Sequence, residues 1–125
     1  MIQTITTDKA PKVVGPYSQA ILANGLVFLS GQVAIDPKTN QFTGGSIEEQ
    51  TKLALDNLSA VLQSVGSNLN KALKTTVFLK DLADFEVMNK VYGEYFPDYK
   101  PARSTIQIAR LPKDALIEIE MIALS

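Results

Sequence analysis

Hydrophobic residues recur with two periods along this chain, and the two periods predict strands and helices in a definite order. Two extended apolar runs, 17–23 and 26–33, flank Asn24-Gly25. This pair is the preferred sequence of a two-residue type I′ hairpin turn, so the two runs predict a hairpin. Other β-branched or alternating runs predict four further strands, at about residues 2–5, 73–79, 103–109 and 116–123.

Two segments instead show apolar residues at helical spacing. The first, at about 47–65, opens with Ser46-Ile47-Glu48-Glu49, a capping box in which serine and glutamate bond the first free amides, and Gly66 ends it. The second follows Asp81 and Asp84, either of which can cap it, and Pro97 ends it. Its apolar face carries Phe85, Met88, Val91, Tyr92, Tyr95 and Phe96.

The resulting order β-β-β-α-β-α-β-β predicts an α+β fold in which two helices cover one face of a mixed six-stranded sheet. The segment 36–45 is rich in turn-forming residues and is predicted to be a loop. The strands carry more apolar residues than one face can bury: Val77, Leu79, Ile106, Ile108 and Ile119 are not all expected to face the helices. A second apolar face predicts burial by another subunit.

The composition of the chain limits the binding partners and the kinds of active site that it can have. The 125 residues predict one domain, 1–125, and the net charge of −1 gives no global attraction to nucleic acid or to an anionic membrane. The chain has no secretory signal pattern and no apolar run of membrane-spanning length, and its lack of cysteine is typical of a reducing compartment, so we expect a cytoplasmic protein. Without histidine or cysteine, a Ser-His-Asp or Cys-His nucleophile and a thiol or imidazole zinc site are excluded.

Two pairs of strand residues are the strongest candidates for chemistry. Arg103 and Thr105 lie two apart, so a guanidinium and a hydroxyl share one face and can bind a carboxylate. Glu118 and Glu120 share a face opposite Ile117, Ile119 and Met121, and a glutamate held by a strand can act on a water. From residue types alone, a surface ion pair for Arg103 and a solvated strand edge for the glutamates are the commoner alternatives.

Other polar residues lie near these candidates in the predicted hairpin and second helix. If the turn at Asn24-Gly25 is right, Tyr17, Gln19, Ser30 and Gln32 share one face of the hairpin. Asn89 is either an exposed helix residue or a polar group directed into a cleft. Tyr92, Tyr95, Phe96 and Tyr99 are more typical of a core or an interface than of a base-stacking surface.

Several of these residues belong to motifs that together resemble the reactive intermediate deaminase A (RidA) family nearly end to end. The motifs are Gly15-Pro16-Tyr17-Ser18-Gln19-Ala20, Ser30-Gly31-Gln32, Asn57-Leu58, Lys74-Thr75-Thr76-Val77-Phe78-Leu79, Asn89-Lys90-Val91-Tyr92, Pro101-Ala102-Arg103-Ser104, Arg110-Leu111-Pro112-Lys113 and Glu118-Ile119-Glu120. The resemblance implies a chorismate-mutase-like fold and a homotrimer whose sheets form a central barrel with clefts between subunits. It also implies hydrolysis of enamine and imine intermediates, 2-aminoacrylate and 2-aminocrotonate, to 2-keto acids and ammonia without a cofactor.

The resemblance also implies roles for individual residues. Arg103 binds the substrate carboxylate, Glu118 orients or activates the attacking water, and Tyr17 closes the pocket from a neighbouring subunit. The remaining pocket residues are Ser30, Gly31, Asn89 and Thr105; many relatives have cysteine at the position of Thr105. We therefore expect Arg103 to lie within a few ångströms of Glu118 in a groove between subunits.

Two other functions are alternatives to the hydrolysis of imines. A non-catalytic trimer could bind a 2-keto acid in the arginine cleft and regulate a partner protein. A ribonuclease is a label that relatives have carried, but the slightly acidic chain without histidine shows no basic groove for RNA.

Overall fold

A six-stranded mixed sheet, covered on one face by two helices, organises the chain, as the sequence pattern predicted. A computed structural model describes residues 1–125. The elements are β1 (Gln3–Ile5), β2 (Ala20–Ala23), β3 (Leu26–Gln32), β4 (Ile35–Asp36), β5 (Gln41–Phe42), α1 (Ile47–Gln63), β6 (Ala72–Leu79), α2 (Phe85–Tyr95), β7 (Ala102–Gln107) and β8 (Ile117–Leu124).

The strand order in the large sheet is β1-β2-β3-β8-β6-β7, so the last strand of the chain lies near the centre. Only β6 and β7 pair in parallel, and the other neighbours are antiparallel. Within β8, Ile117, Ile119 and Met121 are buried, whereas Glu118 and Glu120 point to the opposite face. This alternation confirms the predicted arrangement of the two glutamates.

The hairpin of β2 and β3 has the predicted turn and register. Asn24 and Gly25 have φ values of 52° and 73°, as a type I′ turn requires, and Ala23 pairs with Leu26. The predicted first strand is too long, however, because β2 begins only at Ala20. The Gln19 carbonyl still accepts a hydrogen bond from the Ser30 amide at 3.0 Å, as the predicted register requires. Its buried side-chain amide bonds the backbone of Thr7 and Pro11.

The predicted shared face of the hairpin's polar residues is also wrong. Between the pairs Leu29–Met121 and Gln32–Ile119, two residues of β3 face one residue of β8. This β-bulge at Ser30-Gly31 reverses the alternation, so Gln32 is buried beside the core. Tyr17, by contrast, is 55% exposed and lies outside any strand.

α1 begins with the predicted capping box, whereas neither predicted aspartate caps α2, since Asp84 precedes Phe85 without a side-chain cap bond. Ser46 Oγ accepts a hydrogen bond from the Glu49 amide and the Glu49 carboxylate accepts one from the Ser46 amide, which confirms the capping box. α1 ends at Gln63, two residues before the predicted end, and a 3₁₀ turn capped by Asp81 precedes α2. The short hairpin of β4 and β5 lies where a loop was predicted, since two-residue strands leave no periodic pattern.

The main core lies between the helices and the sheet, and it contains three of the five apolar residues whose direction was in question. Val77, Leu79 and Ile119 all face the helices and are fully buried. Ile106 is 45% exposed on the opposite face, where Phe28 is 42% exposed, so that face has apolar side chains in contact with solvent. Ile108 packs instead on a small cluster formed by Val33, Leu111 and Ala115. Neither helix has the length and hydrophobicity needed to cross a membrane.

Candidate functional site

Arg103 lies on the helix side of β7, stacked against aromatic rings of α2. It pairs with Thr75 in the parallel register of β6 and β7. Its guanidinium carbon is 4.8 Å from the ring centroid of Tyr92 and 5.6 Å from that of Phe85, both within the range of cation–π attraction. The guanidinium opens into a cleft of about 420 Å³ lined by Asn89, Tyr92, Gly93, Lys100, Pro101 and Arg103.

The polar atoms around Arg103 are not satisfied within the chain. Lys80–Asp114 is the one ion pair of the chain, so Arg103 does not have the surface carboxylate partner that residue types alone favoured. Asn89 Oδ1 and Thr105 Oγ1 are buried and have no hydrogen-bond partner. Buried polar atoms are almost always paired in folded proteins. This end of the sheet is therefore arranged to receive polar groups that the chain does not supply.

Glu118 lies on the other face of the sheet, above the β-bulge of β3. A Cβ atom built on Gly31 would lie 2.6 Å from Glu118 Oε2, so the carboxylate rests directly on the glycine backbone. Only a residue without a side chain leaves this space free. The bulge and the glycine together leave room for the carboxylate of Glu118 against the sheet.

The pKa of Glu118 is raised above its ordinary value, mainly because burial disfavours the charged form. The nearby charge of Glu120 raises the pKa of Glu118 further. A neighbouring arginine would lower this pKa, but Arg103 of the same chain lies on the other face of the sheet, so burial dominates. A carboxyl group with a raised pKa exchanges protons more readily near neutral pH, as a general base and acid must.

Tyr17 joins Glu118 and Gly31 in lining a cleft of about 320 Å³. Lys12, Asn40 and Lys113 also line this cleft and bring polar groups to its rim. Ser30 lies beside Gly31 in the bulge, and its hydroxyl donates to the Ser18 carbonyl at 2.6 Å. Tyr17, Gly31 and Glu118 are thus brought together by one chain.

The arginine cleft and the glutamate cleft are separate within one chain. Arg103 is opposite Thr75 on β6, whereas Glu118 is opposite Phe78 on the same strand. An offset of three residues places the two side chains on opposite faces, and the strand spacings put their Cα atoms about 14 Å apart. The expected close approach of Arg103 and Glu118 in a groove between subunits therefore stays a prediction about two copies of the chain.

The residues that hold Arg103 were not assigned to the site from the sequence. The sequence pattern predicts a core or interface position for Tyr92, which is 4% exposed. For Thr75 it predicts only a strand. Tyr92 follows Asn89 by three residues on α2, so both project toward the same side of the helix. That spacing was the one available sign that Tyr92 borders the same cleft as Asn89.

Replacing Gly31 with alanine is expected to lower the activity that depends on Glu118 by about a hundredfold, because the new methyl group displaces the carboxylate by roughly an ångström. Steady-state kinetics of the variant would measure this loss. If the loss acts through Glu118, adding Gly31→Ala to a Glu118→Gln variant changes nothing more. An equal further loss in that background would contradict the explanation.

The fold and the two clefts define a small α+β protein with an arginine in a cleft on one face of the sheet and a glutamate in a cleft on the other. A family profile described as Endoribonuclease L-PSP matches residues 7–125. The chain is 50% identical to Reactive Intermediate Deaminase A, chloroplastic, of Arabidopsis thaliana over 97% of its own length and 65% of that protein. It is 42% identical to human 2-iminobutanoate/2-iminopropanoate deaminase, covering 98% of its own length and 89% of that protein.

A solved structure shows the same fold with a small molecule present. The crystal structure of Escherichia coli TdcF with bound serine superimposes with a TM-score of 0.93, at 38% identity and over 98% of both chains. The chain belongs to the Endoribonuclease L-PSP family, which here includes reactive intermediate deaminase A. The resemblance seen in the sequence motifs is confirmed.

Proposed function

We propose that this protein hydrolyses 2-imino acids, formed from 2-aminoacrylate and 2-aminocrotonate, to 2-keto acids and ammonia. The observation that carries the proposal is the guanidinium of Arg103, which has no ion pair and opens into a cleft that Asn89 also lines. Asn89 Oδ1, and Thr105 Oγ1 two residues along β7 from Arg103, are buried without hydrogen-bond partners. A planar guanidinium binds a carboxylate through two parallel hydrogen bonds. The human and mouse relatives, both named 2-iminobutanoate/2-iminopropanoate deaminase, support the same reaction.

We propose further that the complete site is formed by two copies of the chain, in a homotrimer. The arginine cleft and the glutamate cleft lie on opposite faces of one sheet, so one chain does not bring both groups to one small molecule. The outer face exposes Phe28 and Ile106, which a neighbouring sheet would cover. Arg103, Asn89 and Thr105 then come from one copy, and Tyr17, Ser30, Gly31 and Glu118 come from the next.

In this site the reaction needs only the groups of the chain and a water. The enamine tautomerises to the imine, and Arg103 fixes its carboxylate so that the C=N carbon meets the water. Glu118 takes a proton as the water oxygen bonds to that carbon and the C=N π electrons move to nitrogen. Glu118 then returns that proton to nitrogen, which gives a carbinolamine with one hydroxyl and one amino group. In the second stage Glu118 takes the hydroxyl proton and passes it to nitrogen, so the C–N bond breaks, ammonia leaves and the oxygen forms the carbonyl. A barrier reduction of a few kcal/mol gives a useful acceleration.

The composition favours this reaction over RNA cleavage, although the family description is Endoribonuclease L-PSP. The chain has a net charge of −1 and no histidine, so it lacks the global positive charge that binds phosphates and the usual proton-transfer side chain. A regulatory protein that only binds a keto acid would use the arginine cleft in the same way. Binding alone does not require the second cleft, in which Glu118 lies against Gly31.

Mixing two inactive variants tests both the reaction and the shared site. Arg103→Ala keeps the glutamate half and Glu118→Gln keeps the arginine half, so random trimers co-assembled from equal amounts regain about a quarter of wild-type sites. Pyruvate release from 2-aminoacrylate generated in situ measures the recovery, and the separately assembled variants are the control. A wild-type rate equal to that of Arg103→Ala would support the binding protein, and an active wild type with an inactive mixture would place the site within one chain.

A further inference from the structure

A series of contacts connects Arg103 on β7 to Tyr92 on α2 and Tyr92 to Thr75 on β6. Tyr92 Oη and Thr75 Oγ1 share a hydrogen bond of 2.7 Å, and both residues are buried. Thr75 is also the residue opposite Arg103 in the register of β6 and β7. The threonine that orients the tyrosine is therefore next to the backbone of the arginine whose guanidinium stacks on that tyrosine.

This arrangement fixes a side chain that would otherwise be free to rotate. Arginine is one of the side chains with the most rotamer freedom, and Arg103 has no carboxylate in the chain to hold it. Tyr92 and Phe85 supply two ring faces at 4.8 Å and 5.6 Å from its guanidinium carbon. The N–H groups of a guanidinium lie in its own plane, so aromatic rings against its faces leave them free to bind a ligand carboxylate.

We propose that Tyr92 is a positioning residue for Arg103, and that Thr75 acts through Tyr92 by fixing the orientation of its ring. Neither residue needs to touch the substrate. Burial of the ring raises the pKa of Tyr92, so its hydroxyl stays protonated and able to share the hydrogen bond with Thr75. The inference rests on the proposed carboxylate-binding role of Arg103, but the immobilisation of the guanidinium can be measured without any reaction.

The side-chain NMR spectrum of this chain gives a direct measurement. Arg103 and Arg110 are its only arginines, so the Arg Nε–Hε region contains two signals, and Arg103→Lys assigns them. In Tyr92→Leu we expect the Nε–Hε order parameter of Arg103 to fall and its ring-current shift to shrink. Tyr95→Leu, which removes a ring of the same helix bonded to Asp56 instead, is the matched control and leaves both values unchanged.

Binding of pyruvate, a stable 2-keto acid, measures the consequence for recognition. Loss of one stacking ring is expected to weaken pyruvate binding about fivefold in Tyr92→Leu. Tyr92→Phe keeps the ring and restores most of the affinity, whereas a merely structural role would give losses that follow the melting temperature. If Tyr92→Leu does not fold, Phe85→Leu, a substitution at a half-buried site, tests the second ring by the same two measurements.

Thr75 is tested by combining variants. Thr75→Val and Tyr92→Phe each break the same hydrogen bond, so their double variant is expected to lower the Arg103 order parameter no more than either single change. Additive effects would overturn the role of Thr75. An unchanged order parameter and ring-current shift of Arg103 in Tyr92→Leu would overturn the whole inference, whether or not the protein hydrolyses imines. Absence of imine hydrolysis with these NMR effects present would count only against the proposed function.

Discussion

Replacing Arg103 with alanine is expected to lower kcat/KM for imine hydrolysis at least about a hundredfold. Two charge-assisted hydrogen bonds to the substrate carboxylate are lost, and such bonds contribute about 1.5–3 kcal/mol each. Every 1.4 kcal/mol corresponds to about a factor of ten. Pyruvate release from 2-aminoacrylate measures the change, and pyruvate binding should weaken in parallel because the same bonds hold the product.

Arg110 provides a matched control for that experiment. It is exposed, lies after β7 and lines neither cleft, so Arg110→Ala removes the same charge without removing the proposed anchor. We expect Arg110→Ala to retain wild-type kinetics. Arg103→Lys should recover only part of the loss, since an ammonium keeps the charge but cannot form the two parallel bonds. Equal effects of Arg103→Ala and Arg110→Ala would contradict the assignment of Arg103.

Replacing Glu118 with glutamine is expected to lower kcat by about a hundred- to ten-thousandfold, the usual contribution of a positioned general base. Glutamine has nearly the same shape, so the contact with Gly31 is kept while the proton acceptor is lost. In the wild type, kcat/KM should fall on the acid side with a pKa above the ordinary glutamate value of about 4.3, because the base must be ionised.

The same variant should be more stable than the wild type at neutral pH. A carboxyl group whose pKa is raised by folding favours the protonated folded state. Its contribution to stability is fully present below the unfolded-state pKa and is lost as pH rises through the folded-state pKa. Glutamine removes the buried charge, so the difference in melting temperature should be largest near pH 7 and should vanish in acid.

A Glu120→Gln variant separates the effect of burial on the pKa of Glu118 from the effect of the neighbouring charge. Glu120 is exposed on the same face, and its charge helps to raise the pKa of Glu118. We expect this variant to retain activity at neutral pH and to move the acid limb of kcat/KM to lower pH. A Glu118→Gln protein that is less stable than the wild type at pH 7, or an unmoved acid limb in Glu120→Gln, would be inconsistent with burial and like-charge repulsion as the causes.

Patterns of a few residues predicted most of the fold. The turn at Asn24-Gly25, the capping box at Ser46 and the alternation around Glu118 and Glu120 are local, and each was found where it was predicted. Predictions from local patterns were wrong where contacts between residues far apart in the sequence set the geometry. The side chain of Gln19 is buried because its amide bonds a loop, and Gln32 lies on the other face because β3 has a bulge where it pairs with β8.

The sequence by itself determined which chemical groups are present: one arginine and one hydroxyl on a strand face, a pair of glutamates on another strand, and no histidine or cysteine. Only the tertiary structure decided how these groups are arranged. The strand register puts Arg103 and Glu118 on opposite faces, and the packing of α2 places Tyr92 under the guanidinium. Strand pairing and helix packing join residues far apart along the chain, so periodicity within a segment does not encode them.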